Sequence, residues 1–438
     1  YHLINWPIVN RGGWYDCFQR GTINNFLLIQ HNGQPNAEGK QRLIIGPYGH
    51  GSGGEFSWPA NCYSPPAAYG NTTRWFDYWV KGAENGVMDQ PPVCYYVLGD
   101  VDYPEGPGNE WRFADDWPVP ATELPMYFHD AGLLSSTPPA AAEASNTYGY
   151  DPVDPVPTHG GANLSIANGP HDQNPQLSRS DVIVFTTPVL DSYVEITGTV
   201  LVRLYASSSA VDTDFTAKLC DVYPDGASML VCDGIIRARH RNTQRYSEFM
   251  TPGTVYEFEI DLWDTCIVFN AGHRIRVAIS SSNYPRFDAN PNTGEPFNEH
   301  THTVPATNTL YHDAAHPSHI LFRVTGPDSN GDGVPDPADV DNDGLPDTFE
   351  WPIINYDPDD AVAALADVLP GDDFDQDGYT NAEEYIHGTN PLDDGDFPGP
   401  PSVDFTADVN SGYAPLTVQF TDQSANNPTS WLWDFGDG

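Results

Sequence analysis

The chain has 438 residues, 39% of them hydrophobic and 12% aromatic, enough for two to four domains with packed cores. Its formal net charge of -43, from 18 bases against 61 acids, describes a surface that repels nucleic acid and anionic membrane, and no basic stripe interrupts it. No run of about 18 apolar residues occurs, so no helix is expected to span a membrane.

Residues 1–88 alternate strand and helix signals. "PIVNRGG" and "QRLIIGP" are short apolar runs that end at glycine, as buried parallel strands do. "TINNFLLIQ" between them predicts the crossover helix. "NTTRWFDYWVKGAENG" predicts a second helix, with Thr before an aromatic run at helical spacing and Asn85-Gly86 as its stop. This is α/β texture. From Asp89 to residue 326 turn signals recur between alternating, β-branched runs: "VCYYVLG", "DVIVFTT", "YVEITGTVLVRLYAS", "TVYEFEIDLW", "RIRVAISSS" and "HILFRV". They predict an all-β sandwich or jelly roll, with Ser135–Gly169 as a long excursion rich in Pro, Ala and Gly. Inside it, "KLCDVYPDGASMLVCDG" predicts a hairpin turning at Asp225-Gly226. Cys220 and Cys232 are equidistant from Gly226 and form a candidate disulfide; the alternative is two small buried thiols. No CxxC occurs among the six cysteines, which argues against a zinc or thioredoxin motif.

Residues 327–398 are acidic and repetitive, with 21 acids and no Lys or Arg between Pro327 and Pro400. "DFPGPP" reads as a linker, and residues 399–438 return to strand-like alternation with too few strands to close a sandwich. With Tyr1 in place of a start methionine, the chain is expected to begin inside one domain and to stop inside another.

Two residues at the start suggest chemistry. Asp16 follows the first predicted strand in "GGWYD", and His50 follows the second in "GPYGH". Loops after parallel strands lie at the carboxyl edge of the sheet, where α/β enzymes work. An acid that orients a histidine is two-thirds of a Ser-His-Asp triad, and Asp before His matches the Ser, Asp, His chain order of α/β-hydrolases. No G-x-S-x-G occurs; Ser52 in "GHGSGG" has His50 where the elbow needs glycine. The nucleophile is therefore expected upstream of Tyr1.

Further motifs follow in one order: "RWFDYWVKGAENG", "WRFADDWP", "YDPVDPVPTHGG", "GPHDQ", "SSSAVDTDFTAKLCDVYPDGASMLVCDGIIRARHR" and "GHRIRVAISSSNYPRFDANPNTG". Together with "GGWYD" and "GPYGH" they resemble the CocE/NonD hydrolases, the cocaine-esterase-like relatives of X-Pro dipeptidyl-peptidases. The resemblance runs from about residue 4 to residue 324. It implies the C-terminal part of an α/β-hydrolase followed by a jelly roll. It puts the triad acid on Asp16 and the triad histidine on His50, with Tyr48 where the family motif has Trp. It puts Phe18 near the acyl pocket, core packing being that residue's other reading. Serine, oxyanion region and cap lie upstream in such proteins, so this stretch alone is expected to be inactive. Catalysis of this kind needs no cofactor, and its substrate is a small ester, amide or peptide. Three other groups tempt as metal ligands. His312, His316 and His319 read instead as a loop leading into a strand, His300 and His302 carry no stronger signal, and Asp212 and Asp214 read as turn formers.

In the acidic segment, "DVDNDGLPDTFE" fits an EF-hand-type loop: Asp339, Asp341 and Asp343 at positions 1, 3 and 5, then Gly344, the Leu345 carbonyl, Asp347 and a bidentate Glu350. "DFDQDGYTNAEE" repeats it with Asp373, Asp375, Asp377, Gly378, the Tyr379 carbonyl, Asn381 and Glu384. "DSNGDGVPD" starts a third with Asp328, Asn330, Asp332 and Asp336. The style resembles thrombospondin type 3-like calcium repeats, which implies structural Ca2+ that stiffens a spacer. The tail ending in "WDFGDG" resembles the first half of a PKD domain, an immunoglobulin-like sandwich. Such modules hang on extracellular hydrolases and surface proteins, which implies secretion and a contact with cell surface or matrix. Two other readings remain: a surface protein that has lost its activity and works through the calcium and PKD modules, and a carbohydrate-binding jelly roll, which leaves the α/β start unexplained.

Overall fold

Three parallel strands open the chain. β1 (Val9–Tyr15), β2 (Arg42–Gly49) and β3 (Val93–Val97) lie side by side, and β4 (Glu110–Ala114) closes the sheet antiparallel to β3. Leu43, Ile44 and Ile45 are buried in succession, as are all five residues of β3, which is why these strands read as unbroken apolar runs. α1 (Gln19–Asn32) makes the crossover from β1 to β2, and its buried Gln19, Ile23, Phe26 and Ile29 share one face. The helix Thr72–Lys81 starts on the Asn71 side chain, which accepts the Thr73 N–H. It stops before the expected Asn85-Gly86. Gly82 takes the left-handed cap and donates its N–H to the Asp77 and Tyr78 carbonyls, while Asn85 Nδ2 donates to the Arg74 carbonyl.

The computed structural model describes residues 1–50, 58–141, 143–296, 298–325, 345, 350, 353–354, 365–387, 389–393, 405–407 and 420–422. The chain divides into two compact units, Tyr1–Pro327 and Asp328–Gly438.

In the first unit the α/β sheet outlasts its helices. β3 and β4 lie in the stretch read as all-β, yet Val93 pairs with Leu43 of β2. Directly after β3, the Leu98 N–H donates to the Cys266 carbonyl and the Leu98 carbonyl accepts from Val268, so the parallel sheet continues into the β region without a linker. That region comprises β5 (Thr122–Phe128), β6 (Leu134–Ser135), β7 (Asn146–Tyr150), β8 (Ile183–Thr186), β9 (Val194–Ser208), β10 (Asp214–Val222), β11 (Ser228–Arg237), β12 (Tyr256–Phe269), β13 (Arg274–Ser280), β14 (Ala306–Tyr311) and β15 (His319–Thr325). Order β6-β5-β15-β9-β14-β7, with β12 also on β9, makes a seven-stranded sheet; β11-β10-β13-β8 makes a four-stranded one. Their facing sides share a core in which Phe128 stacks on Phe185 at 4.3 Å and Phe215 meets Phe258 at 4.7 Å.

The hairpin read at Asp225-Gly226 joins β10 to β11, with Gly226 at φ 96°. Its cysteines do not meet. A bulge shifts the register between Leu219 and Cys220, so Cys220 faces Leu230 and Cys232 faces Leu219. The candidate disulfide is corrected accordingly: all six cysteines are free.

In the second unit, Leu345, Ile353 and Val368 form a small core with Phe374, Ala382, Tyr385 and Leu392 against it. The helix Asn381–His387 begins with a capping box: the Glu383 carboxylate accepts the Thr380 N–H, and the Thr380 hydroxyl accepts the Glu383 N–H. Two short strands, Phe405–Ala407 and Phe420–Asp422, pair antiparallel. The rest of residues 399–438 lies outside the described residues.

One buried histidine ties the parallel sheet to the β region. His273 is 1% exposed; its Nδ1 lies 2.8 Å from Asp221 of β10 and its Nε2 3.2 Å from Asp100 in the loop after β3. Burial pulls the imidazole down, but the hydrogen bonds and charges of Asp221 and Asp100 outweigh it and raise the pKa. A group raised in the folded state stabilises fully below its unfolded value, about 6.5 for histidine, and the contribution fades as pH rises through the folded value. His273→Gln is therefore expected to cost about 3 kcal/mol in urea unfolding at about pH 6 and clearly less at about pH 9. A deficit that stays flat between the two would exclude an imidazolium at this position.

Candidate functional site

β1 and β2 end together. Tyr15 pairs with Gly49 across the parallel ladder, so the next residues, Asp16 and His50, leave the same sheet edge as neighbours. Nδ1 of His50 lies 3.2 Å from Oδ2 of Asp16, and Oδ1 of Asp16 accepts the Phe18 N–H at 2.9 Å. The Asp16 side chain is 14% exposed and the imidazole 50%. With Nδ1–H donated to the carboxylate, Nε2 carries the ring's lone pair and can take a proton. Phe18 sets its ring edge-on to the imidazole at 5.1 Å and is 54% exposed, an apolar surface beside the base. Next to the acid, burial and the Asp16 carboxylate push the Cys17 thiol up, so it is a poor thiolate nucleophile. Ser52 lies outside the described residues.

Two glycines make this edge possible. A Cβ on Gly13 would lie 1.9 Å from the Tyr48 carbonyl oxygen, and one on Gly46 would lie 2.3 Å from the Tyr48 ring. Gly13 thus lets the strand that delivers His50 pass close beside the strand that delivers Asp16, while Gly46 makes room for the Tyr48 ring of its own strand.

The β region supports the edge through residues that the sequence left without a role. Tyr15 Oη donates to the Leu230 carbonyl, Gln19 Nε2 to the Asp264 carbonyl, and Arg20 pairs with Asp261. Asn168, beside the "GPHDQ" motif, packs on Gly49, where a Cβ would lie 2.8 Å from its Cγ. His171 and Gln173 of that motif anchor the loop: Nε2 of His171 lies 3.2 Å from the Asn168 carbonyl, and Gln173 accepts from the buried Lys218 Nζ at 2.9 Å. Burial pulls the Lys218 amine down, opposed by Asp233. Asp233 also pairs with Arg286, and Gly161 (φ 91°) lets the loop pass close to both. In the sequence the motif "GPHDQ" was the signal for this contact, whose residues are distant along the chain.

In the second unit, carboxylate oxygens of Asp373, Asp375 and Asp377 lie within 4.8 Å of one another. Gly378 makes the sharp turn at φ 101°, and its N–H donates to Asp373 Oδ2. Asn381 and Glu384 are buried, and Tyr379 donates its N–H to Asp377 Oδ1 at 2.8 Å. Asp373 Oδ1, Asp377 Oδ2 and Asn381 Oδ1 are shielded from solvent with no hydrogen bond. Bare oxygens packed this way are costly without a cation, so the donor set fits a hard divalent ion. Leu345 and Glu350 are both buried. The other ligand candidates, Asp328, Asn330, Asp332, Asp336, Asp339, Asp341, Asp343 and Asp347, lie outside the described residues. Among the histidines, Nδ1 of His316 and Nδ1 of His319 have local oxygen partners, Asp313 and the Pro317 carbonyl. Asp212 and Asp214 pair with Arg239 and Arg237.

This is an α/β edge backed by a β region, and known proteins share it. Residues 85–321 match the X-Pro dipeptidyl-peptidase C-terminal non-catalytic domain, more than half of the chain, and the protein belongs to this family. Residues 373–394 match the bacterial TSP3 repeat. A cocaine esterase from a Rhodococcus species is 38% identical over 339 residues, covering 73% of this chain and 56% of that protein. An aminopeptidase from a marine sediment archaeon, Thaumarchaeota archaeon, superposes with a TM-score of 0.61 at 27% identity, covering 73% of this chain and 55% of the other. An α-amino acid ester hydrolase superposes at 0.58, also 27% identical, covering 72% and 55%. The chain thus spans little more than half the length of these relatives, and the resemblance to CocE/NonD-type hydrolases holds at that level.

The close approach of β1 and β2 is open to test. Gly13→Ala should destabilise the first unit by about 3 kcal/mol, because the Tyr48 backbone must move to admit the methyl group. Gly21→Ala, on the open surface of α1 with nothing within 4 Å, should be neutral or slightly stabilising in the same urea titration.

Proposed function

We propose that this chain is the C-terminal part of a secreted serine hydrolase that cleaves an ester or amide bond in a small ester, amide or peptide substrate. The observation that carries the reading is the 3.2 Å contact between His50 and Asp16 at the ends of paired parallel strands. The relatives support the same class of chemistry, since an esterase, an ester hydrolase and an aminopeptidase all act at an acyl carbon. Asp16 holds Nδ1–H and stabilises the imidazolium. His50 Nε2 takes the proton of a serine hydroxyl as it attacks the carbonyl, then returns it to the leaving group. Backbone N–H groups hold the oxyanion, and water deacylates the serine by the reverse proton path. The serine and oxyanion donors are assigned to a segment upstream of Tyr1, in keeping with the Ser, Asp, His order of α/β-hydrolases. Phe18 offers the acyl group an apolar face, and the loop carrying Asn168 and His171 is one wall of the cleft. The β region is read as a jelly roll.

The acidic unit is proposed to bind calcium. Asp373, Asp375, Asp377, Tyr379, Asn381 and Glu384 would hold one ion, and the two other loops would bind by the same pattern. The bound ion neutralises clustered carboxylates and stiffens a spacer; it takes no part in acyl transfer. Millimolar external calcium suits such sites, which supports reading the protein as extracellular. Residues 399–438 are read as the start of a PKD domain that contacts cell surface or matrix. The calcium pattern also favours a second reading, a surface-binding protein in which the hydrolase body is inactive.

Fluorophosphonate labelling of the full-length native protein separates the two. A tag mapped to a serine upstream of Tyr1, and lost in His50→Ala, is the expected result. A folded, calcium-loaded protein that takes no tag leaves the inactive binder as the better reading. For the spacer, saturating calcium should raise the melting temperature of the second unit by about 5 °C or more, followed by calorimetry. Glu384→Gln should remove most of that shift; an unchanged shift would exclude the 373–384 loop as a calcium site.

A further inference from the structure

Three loops beside β9, where β14 ends opposite Tyr205 and β15 begins opposite Arg203, bring Asp130, Glu143 and His312 together. Asp130 follows β5, Glu143 precedes β7, and His312 follows β14. One donor atom from each lies within 4.8 Å of the others. His312 is 1% exposed, with the ring of Phe185 set across it at 5.8 Å. Its Nε2 donates to Asn146 Oδ1 at 2.8 Å, so in the neutral ring the lone pair is on Nδ1. Nδ1 has no hydrogen bond, and it faces Oε2 of Glu143 at 3.6 Å.

Two electron-rich atoms face each other in a buried place, so something positive belongs between them. The gap is too wide for a good N–H···O bond, which needs about 2.9 Å. It is close to the ligand–ligand edge of a tetrahedral zinc site, about 3.3 Å for donors about 2.05 Å from the ion. The carboxylates are already oriented. Glu143 accepts from His129 Nδ1 at 2.7 Å and from the backbone N–H groups of Asp130 and Ala140; Asp130 Oδ1 accepts the Ala144 N–H. Asn146 and His129 thus stand behind the donors as outer partners that aim metal ligands do.

We propose that His312 Nδ1, Glu143 and Asp130 bind a Zn2+-class divalent cation that clips the three loops together. An imidazole donor argues against calcium, which takes oxygen ligands, and for a first-row ion. The site shares no residue with the Asp16–His50 edge or with the acidic loops, and its role is structural.

Co2+ is the probe, added to the full chain in millimolar Ca2+ so that the acidic loops are filled. One Co2+ per chain, with visible d–d bands that Zn2+ abolishes, is the expected result. His312→Gln should weaken Co2+ at least tenfold. Asp130 is exposed, so Asp130→Asn should fold even if the buried substitution does not, and it should also weaken Co2+ at least tenfold. Absence of d–d bands in the wild type overturns the proposal and assigns the gap to a proton on Nδ1. Bands that persist unchanged in folded Asp130→Asn and His312→Gln overturn it as well.

Discussion

The structure at the Asp–His edge rests on a backbone contact. Gly13 of β1 lies against the Tyr48 carbonyl so closely that no β-carbon fits between them. This approach lets the parallel ladder carry on to Tyr15 opposite Gly49, despite the irregularity after Gly13. Asp16 and His50 are then adjacent because their strands end at one level. Neither side chain has to reach, and the carboxylate keeps a second bond to the Phe18 N–H. A pair positioned by the ladder is held with little loss of side-chain freedom, which is what an orienting acid requires.

Much of this could be read from residue order because parallel strands buried on both faces leave long apolar runs, and the residue after each run marks the sheet edge. Asp16, His50 and the crossover helix follow from that rule. The features that could not be read depend on register or on distant pairing. Gly226 does turn the hairpin, but a bulge at Leu219/Cys220 puts Cys232 opposite Leu219, and nothing in the local pattern signals it. Val93 to Val97 is as β-rich as its successors, so composition could not show that it joins β2 rather than the antiparallel sheets. The helix Thr72–Lys81 stops early because Gly82 offers the left-handed cap before Asn85 does. Asn168 reaches Gly49 across more than a hundred residues of sequence, beyond any local rule.

The β region makes two kinds of contact with the edge. Some hold backbone: Leu230 and Asp264 accept from the side chains of Tyr15 and Gln19, which flank Asp16. Others are charged and deep, as where His273 joins Asp221 to Asp100. Breaking a buried charged contact leaves a lone carboxylate in low dielectric, a cost far above the worth of an exposed pair. The strands that deliver Asp16 and His50 therefore share their stability with a domain whose family description is non-catalytic.

Charge compensation separates the two units. In the first, buried acids have internal partners: Asp212 with Arg239, Asp214 with Arg237, Asp233 with Arg286. Between Pro327 and Pro400 there are 21 acids and no Lys or Arg, so no such partner exists in that segment's own sequence. Sodium and potassium in bulk screen exposed charge but do not follow it into a core. Yet Asp373 Oδ1, Asp377 Oδ2 and Asn381 Oδ1 are packed away from water, beside the core that holds Phe374 and Ala382. Burying acids without bases is costly, and the calcium proposed for the turn on Gly378, with oxygens at alternate residues, would supply the missing positive charge. On the proposed calcium reading the second unit would draw its compensating charge from its surroundings, whereas the first carries arginines of its own opposite Asp212, Asp214 and Asp233.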